Sequence, residues 1–198
     1  MGDNMKEIVV ATKNEHKIVE FKAMLEPLGY KILSLFDFDE FPEIIEDKDT
    51  FRGNAQKKAE ELAMYLNKVV IADDSGLEVD VLNGAPGVYS ARYGGEHATY
   101  ADNNTLLLKN LEGVKNRKAR FVTCMCVFEI GQEPLFFEDY LNGDIAVTYK
   151  GDNGFGYDPI FIPGEDERHL AEYSLAEKNV ISHRGKCLVK LTSYLKKI

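Results

Sequence analysis

The chain has 198 residues, of which 44% are hydrophobic and 29% are charged, a balance typical of a soluble globular protein. The length predicts a single domain, 1–198, with room for two lobes. The net charge of −9 argues against a nucleic-acid partner, because polynucleotides are bound by basic surfaces that neutralise phosphates. No apolar run approaches the ~20 residues that span a bilayer. Because the first residues also lack a signal-peptide pattern, we expect a cytoplasmic protein without a membrane partner.

The first half of the chain alternates predicted strands and helices, identified from apolar periodicity and from turn and capping residues. The predicted elements are a buried strand "KEIVVA" (6–11), a helix with Ile18, Phe21, Leu25 and Leu28 on one face, a strand "YKILSL" (30–35), an irregular acidic segment (36–50), a helix from Phe51 to Asn67, and a strand that ends at Ala72 and is followed by a turn at "DDSG" (73–76).

The second half of the chain predicts a hairpin and two capped helices. The elements are a loop (82–95), a helix through Leu106–Leu111 after a capping box of Thr99 and Asp102, strands "RFVTCMCVFEI" (120–130) and "PLFFEDYL" (134–141) extended by "GDIAVTY" (143–149), a loop (150–158), a strand "PIFI" (159–162), a helix after a capping box of Ser174 and Glu177, and a last helix with Leu188, Leu191 and Leu195. Parallel units together with hairpins predict an α/β fold, with a mixed β-sheet flanked by helices.

The three cysteines are too few, and odd in number, for a disulfide framework. Cys124 and Cys126 lie two residues apart, so both face the same side of a strand. No second Cys or His pair stands nearby to complete a zinc site, so we expect buried thiols.

The segment "ATKNEHK" (11–17) joins the first predicted strand to the first predicted helix. Backbone N–H groups are free at such a helix start and can bind phosphate. Thr12, Asn14 and Lys17 add a hydroxyl, an amide and a cation. The segment is a candidate phosphate site, although an ordinary capped helix start has the same pattern. It is not a Walker loop, because the chain has no Gly-x4-Gly-Lys.

Three acidic residues, Glu46, Asp73 and Asp74, predict a metal site. Mg²⁺ takes hard oxygen ligands and usually retains waters, so one or two carboxylates together with substrate phosphates suffice. Adjacent carboxylates repel each other, a cost that a cation relieves. The alternative for Asp73 and Asp74 is a solvated turn.

The glycine-rich segment "GDNGFGYDP" (151–159) is a candidate base-binding loop. It lacks the context of a dinucleotide fingerprint, because it follows a hairpin and leads into a strand. Phe155 and Tyr157 flank Gly156, and an aromatic face beside small residues suits stacking of a flat base. The alternative is a glycine-rich turn with one core aromatic.

The segment "EKNVISHRGK" (177–186) concentrates positive charge in an acidic protein. Lys178, His183, Arg184 and Lys186 carry donors that suit keto oxygens and phosphates, although a basic helix face would look the same. Together the four stretches supply a phosphate cradle, a metal site, an aromatic platform and donors, as a nucleoside triphosphate requires. No Ser–His–Asp arrangement is evident, so we expect attack by water.

At these stretches the sequence closely resembles the Ham1-like, or inosine triphosphate pyrophosphatase, family. The segments "ATKNEHK", "TFRGNAQKKA", "IADDSGLEVDVLNGAPGVYSARYGG", "GFGYDPIF" and "EKNVISHRGK" fall in the family's order and spacing, and the match covers nearly the whole chain. The resemblance implies a homodimeric, Mg²⁺-dependent enzyme with a two-lobed α/β fold. It also implies hydrolysis of ITP, dITP and XTP to the monophosphate and pyrophosphate, which keeps deaminated purines out of nucleic acid.

The resemblance further implies roles for single residues. Glu46 and Asp74 resemble the metal ligands, Asp74 also resembles the catalytic proton acceptor, and Ser75 is similar to a substrate-contacting serine. The implied substrate-binding residues are Thr12, Lys13, Asn14, Glu15, His16 and Lys17 for the triphosphate, Phe155, Gly156, Tyr157 and Asp158 for the base platform and its recognition carboxylate, and Lys178, His183 and Arg184 for reading the base.

Two positions depart from the family pattern. Gly53 stands where "TFxENA" usually has Glu, and Cys187 replaces the usual Ala after "SHRGK". Three rival functions remain open from the residues: a nucleotide sensor with the same pocket, a related pyrophosphatase that prefers modified pyrimidines, and an RNA-binding protein, which conflicts with the net charge of −9.

Overall fold

The structure is a computed structural model that describes residues 6–164 and 166–196. The described residues form six strands and five α-helices. The strands are β1 (Lys6–Val10), β2 (Tyr30–Ser34), β3 (Val70–Val79), β4 (Lys118–Phe128), β5 (Leu135–Ile145) and β6 (Phe161–Pro163). The helices are α1 (Glu15–Leu25), α2 (Phe51–Leu66), α3 (Tyr100–Asn110), α4 (Leu175–Ile181) and α5 (His183–Leu195).

The strands form a mixed sheet in the order β2-β1-β3-β4-β5-β6. β1 runs parallel to β2 and to β3, whereas β5 and β6 are antiparallel. The α/β class predicted from the sequence, with a mixed sheet and flanking helices, is therefore confirmed. No helix in the described residues is both long and apolar enough to cross a membrane.

The chain divides into two compact units. The first unit runs to Asp74 and takes in Cys124–Glu138 and the chain from Cys187, and the second comprises Ser75–Thr123 and Asp139–Lys186. β3, β4 and β5 each contribute residues to both units.

In the first unit, apolar side chains pack on both faces of the strands. Successive side chains of a strand point to opposite faces, and two clusters follow that alternation. One cluster combines Ile8, Val10, Ile71 and Met125 with Phe21 and Leu25 of α1 and Leu188 and Leu191 of α5. The other combines Val9, Ala11, Val70, Ala72, Cys124 and Cys126 with Ala55, Ala59 and Leu62 of α2. Both thiols of β4 are buried on the α2 side, as predicted.

In the second unit, α3 and the residue directly after it contribute to a separate core. Leu107 and Leu111 pack with residues of β3, β4, β5 and β6, among them Leu77, Phe121, Ile145 and Phe161. Both predicted capping boxes are present, with Thr99 and Asp102 before α3 and Ser174 and Glu177 before α4. Reciprocal side-chain and backbone bonds of this kind satisfy donors that a helix start leaves free.

The prediction of a turn at "DDSG" is wrong. β3 continues through Asp73, Asp74, Ser75 and Gly76 to Val79. Asp, Ser and Gly favour turns locally, but β3 lies between β1 and β4 in the sheet, and its neighbours keep it extended. Asp73 and Asp74 therefore point to opposite faces of the first unit rather than sharing one turn.

Two further boundaries differ from the prediction. "GDIAVTY" extends β5 as predicted, but only through its first three residues, which pair with Phe161–Pro163. The strand predicted at "PIFI" begins two residues later, since Pro159 and Ile160 lie in a 3-10 turn that spans Asp158–Ile160.

Candidate functional site

Asp74 is a buried acidic residue of β3 in the first unit. Its side chain is buried, with 6% of the residue exposed. Asn54 Nδ2 donates to Asp74 Oδ2 at 3.0 Å, and Asn54 Oδ1 accepts from the Lys48 N–H at 2.9 Å. Burial, with the charge of Glu46, raises the pKa of Asp74 to about 6, although Lys58, Asn54 and Lys17 act in the opposite direction. Asp74 is therefore a carboxylate that Asn54 holds in place, and its ionised form is less favourable in the folded protein than in water.

Asp73 points to the other face of β3 and has a different partner. Lys17 Nζ lies 3.1 Å from Asp73 Oδ1 and 3.0 Å from Oδ2. The Asp73 side chain is 1% exposed and that of Lys17 is 17% exposed. The strand geometry thus separates two carboxylates that the sequence placed together: Asp73 fixes a lysine of α1, and Asp74 is held by α2.

Glu46 forms an ion pair with Lys58 of α2. Burial lowers the pKa of Lys58, but the negative charges of Glu46, Asp73 and Asp74 outweigh that effect, and the pKa is raised overall. Lys58 therefore stays protonated among these carboxylates and offsets part of their repulsion.

The donor set around Asp74 fits Mg²⁺. Glu46 and Asp74 offer only hard oxygen ligands, and their like charges repel each other, which together with burial raises the pKa of Asp74. Within the part of the chain that the structure describes, no group of three His, Cys, Asp or Glu side chains forms an all-protein metal cage. Mg²⁺ does not need such a cage, because it keeps waters and takes phosphate ligands from a substrate.

The predicted phosphate segment begins α1, but its backbone donors are partly used. Asn14 Oδ1 accepts from the His16 N–H at 3.0 Å and the Lys17 N–H at 3.4 Å, and Thr12 Oγ1 accepts from the Asn14 N–H at 3.0 Å. Asn14 therefore caps two of the N–H groups that we expected to be free for phosphate, those of His16 and Lys17. Lys13 is exposed, with Nζ 4.6 Å from the centre of the Phe41 ring, and Glu15 and His16 lie exposed in the first turn.

In the second unit, the loop that carries Phe155 is built around Asp158. Asp158 Oδ2 accepts from the Phe155 N–H at 3.0 Å and from Lys178 Nζ at 2.6 Å. Gly154 has a φ of 76°, and a Cβ there would lie 2.1 Å from Asp158 Oδ2, so only glycine fits beside the carboxylate. Asp158 and Lys178, predicted as separate base-reading groups, form a buried ion pair that shapes the loop.

The Phe155 ring is half-buried and lies beside two cations. Lys178 Nζ is 4.8 Å and Arg184 Cζ is 5.6 Å from the ring centre. Tyr157 is placed differently, because it is 5% exposed, belongs to the core and donates its hydroxyl to Ser90 O at 2.8 Å. Burial raises the pKa of Tyr157. Of the two aromatics predicted as a platform, Tyr157 is therefore buried in the core, whereas Phe155 is half-buried.

The remaining predicted residues of the second unit lie at the start of α5 and in β3. His183 is 5% exposed and stacks on Phe121, with ring centres 4.8 Å apart and ring planes within 6°. Arg184 Nη2 donates to Ser75 Oγ at 3.4 Å, and Ser75 Oγ is 2.6 Å from Thr123 Oγ1. The structure thus links Arg184 to Ser75 and, through Phe155, to Lys178.

Asn54 and Lys58 were not predicted as site residues. Both lie in "TFRGNAQKKA", which we quoted for the resemblance, and their spacing of four places them on one side of α2. At Gly53, the departure from the family pattern, a Cβ would lie 2.9 Å from Lys48 Cβ and 3.0 Å from Thr50 Oγ1. The departure at Cys187 is a buried core thiol.

Sequence relatives and solved structures that are similar to this chain identify its family. The profile of the Ham1 family matches residues 8–194. A relative from Bacillus licheniformis named dITP/XTP pyrophosphatase is 50% identical over 193 residues, which cover 96% of this chain and 98% of the relative. A solved HAM1 protein from Coxiella burnetii has a TM-score of 0.90 and 39% identity, covering 98% of this chain and 100% of the other. The Staphylococcus aureus Ham1 protein has a TM-score of 0.88 and 40% identity, covering 97% and 99%. The chain belongs to the Ham1 family, as the resemblance in its motifs predicted.

Proposed function

We propose that this protein hydrolyses non-canonical purine nucleoside triphosphates, ITP, dITP and XTP, to the monophosphate and pyrophosphate. The proposal rests on the carboxylate of Asp74, which Asn54 holds by a hydrogen bond and which has Glu46 and Lys58 near it. The chain that carries this carboxylate has curated relatives named dITP/XTP pyrophosphatase. This activity would remove deaminated purines from the nucleotide pool.

Glu46 and Asp74 would hold Mg²⁺ in the proposed reaction. A bound Mg²⁺ supplies positive charge that stabilises the developing charge on phosphate oxygens and orients the pyrophosphate. Three lysines of the same unit, Lys13, Lys17 and Lys58, supply further positive charge. We assign them to the triphosphate, because ammonium groups bind phosphate oxygens as point charges.

Asp74 acts as the general base. A water oxygen forms a bond to the α-phosphorus while Asp74 accepts one proton of that water, and the bond from the α-phosphorus to the bridging oxygen breaks. The electron pair of that bond leaves with pyrophosphate. Asn54 fixes one oxygen of Asp74 through its amide, which keeps the carboxylate oriented for proton transfer.

Phe155, Lys178, His183 and Arg184 select the base. Stacking on Phe155 accepts any base, so selection falls to the donors. Hypoxanthine and xanthine carry an acceptor, O6, where adenine carries an amino donor. The bond from Lys178 to Asp158 uses one of three ammonium donors. A buried donor that faces a donor costs roughly 1–3 kcal/mol, which disfavours ATP. GTP also carries O6, so the pocket must exclude GTP through its 2-amino group.

We also propose that the protein acts as a homodimer, as its resemblance to the family implies, and that it acts in the cytoplasm, as expected from the sequence. Size-exclusion chromatography with light scattering would show about twice the chain mass of 22.3 kDa if the proposal holds.

Pyrophosphate release tests the function directly. The purified protein is assayed with ITP, dITP, XTP, ATP, GTP and a modified pyrimidine triphosphate, each with Mg²⁺ and with EDTA. We expect release from ITP, dITP and XTP only when Mg²⁺ is present. Tight ITP binding without pyrophosphate release would instead make the protein a nucleotide sensor, and equal rates with ATP or GTP would refute the assignment of the donors.

A further inference from the structure

α3 carries two adjacent, fully buried amides, Asn103 and Asn104, which are 2% and 0% exposed. Amide side chains favour helix caps and turns over helix interiors, and a buried polar group is costly unless it is bonded. Their contacts in the second unit show that each one holds a different loop.

Asn104 reaches the loop that carries Phe155. Asn104 Nδ2 donates to Gly156 O at 2.9 Å and also to the Tyr149 hydroxyl. Gly156 directly follows Phe155 and has a φ of 62°, so this carbonyl sits at a bend in the chain. One buried side chain of α3 therefore fixes the backbone next to the proposed stacking residue.

A second contact joins α3 to the same loop. The Tyr100 ring, at the first residue of α3, lies 6.1 Å from the Phe155 ring at an angle of 44°. Tyr100 and Asn104 are four residues apart and so lie on the same side of the helix. The ring contact and the amide bond together place Phe155 with respect to α3.

The two polar atoms of the Asn104 side chain differ in their hydrogen bonding. Within residues 6–164 and 166–196, Asn104 Oδ1 has no hydrogen-bond partner. Burying an acceptor in this way costs stability. Stability alone is therefore a poor reason for an asparagine at position 104. The two groups that its Nδ2 holds are a better one.

We propose that Asn104 is a positioning residue for base recognition, which acts by holding the Gly156 carbonyl and so the Phe155 ring in place. This inference rests on the proposed function in so far as Phe155 stacks on the base. Asn104 is not a catalytic residue, since it is tied to the loop rather than to reacting atoms.

Asn103 provides a matched control. It is buried on the same helix, and it holds a different segment, through Gly94 N–H to Asn103 Oδ1 at 2.7 Å and Asn103 Nδ2 to Ala91 O at 3.1 Å. Asn103→Ala and Asn104→Ala remove the same amide from neighbouring positions, so both should lose stability. Only Asn104→Ala should affect the Phe155 loop.

Hydrogen exchange without nucleotide tests the positioning directly. In the wild type the Phe155 N–H is bonded to Asp158, and its exchange should be slow. We expect faster exchange across residues 154–158 in Asn104→Ala and no change there in Asn103→Ala. If Asn104→Ala does not fold, Asn104→Asp keeps the size and loses both N–H donors. Equal protection of this loop in the wild type and a folded Asn104 variant would overturn the proposal.

ITP kinetics test the link to base binding. Asn104→Ala should raise KM for ITP about fivefold or more, the lower end of what a base–aromatic stack contributes, with a much smaller change in kcat. In a Phe155→Ala background, Asn104→Ala should have little further effect, because both changes act through one ring. Additive effects would overturn the inference. A wild type that hydrolyses no nucleotide would refute the proposed function, while hydrogen exchange would still decide whether Asn104 holds the loop.

Discussion

Replacing Asp74 with Asn should make the metal-free protein more stable and the enzyme much slower. Burial and Glu46 raise the pKa of Asp74 from 3.8 to about 6, so the folded protein disfavours the carboxylate by about 3 kcal/mol, at about 1.4 kcal/mol for each factor of ten. Asn is nearly isosteric and uncharged, and its oxygen can still accept from Asn54. The variant should therefore recover most of that free energy at neutral pH, a rise in Tm of about 6–12 °C for a chain of this size.

The stability gained by Asp74→Asn should increase as the pH rises. The pKa of Asp74 is raised on folding, so below about 3.8 both the folded and the unfolded wild type are protonated and the penalty is absent. Between about 4 and about 6 the folded wild type binds the extra proton, and its stability falls as pH rises. Above about 6 the penalty is complete. The difference in unfolding free energy between Asp74→Asn and the wild type should thus grow from near zero at pH 4 to about 3 kcal/mol at pH 7.

Urea unfolding in EDTA at pH 4 to 8 measures the stability of the wild type and of Asp74→Asn. Pyrophosphate release from ITP in Mg²⁺ measures their rates. The rate of Asp74→Asn should be lower by ~10²–10⁴, because the variant lacks the proposed general base. The neighbouring Asp73→Asn is the control, since it removes the carboxylate partner of Lys17 and should destabilise the protein. A destabilised Asp74→Asn variant, or one with near-wild-type turnover, would refute the reasoning.

Three further changes test other parts of the site. Phe155→Ala should weaken binding of every accepted nucleotide by roughly 1–3 kcal/mol, and unchanged ITP kinetics with a lower Tm would instead make Phe155 a core residue. Lys178→Ala leaves Asp158 buried without its cation, so urea unfolding should show a loss of about 3–5 kcal/mol; an unaltered midpoint would show that the pair contributes little to the fold. Asn54→Ala should weaken Mg²⁺ binding by about 10–100-fold, as measured by calorimetry, because Asp74 loses the amide that orients it. An unchanged Mg²⁺ affinity in this variant would show that Asn54 does not support the proposed metal site.

Much of the fold could be predicted because its signals are local. Thr99 with Asp102 and Ser174 with Glu177 mark helix starts within four residues, and both capping boxes are present. The turn predicted at Asp73–Asp74 failed because local composition competes there with pairing to strands distant in sequence, and the sheet prevails.

The site was less predictable, because its contacts join residues far apart in the chain. Asn54 and Asp74 are 20 positions apart, as are Asp158 and Lys178, and no periodicity in the sequence couples either pair. Tyr157 illustrates the same limit, since "GFGYD" does not distinguish an aromatic that a base could stack on from one in the core. Candidate chemistry could be proposed for whole stretches of the sequence, whereas the contacts of single residues within a stretch required the fold.

The extended course of β3 makes the site sensitive to chain length as well as to side-chain type. Along a strand each residue advances by about 3.3 Å, and successive side chains point to opposite faces. Asp73 therefore faces α1 and Asp74 faces α2 only with the present number of residues before them in β3. Deleting Ala72 would bring Asp73 to the α2 face and turn Asp74 toward Lys17, although both carboxylates are retained. Insertions and deletions of one residue before Asp73 should therefore abolish function, even where single substitutions at Val70 or Ile71 by other apolar residues are tolerated.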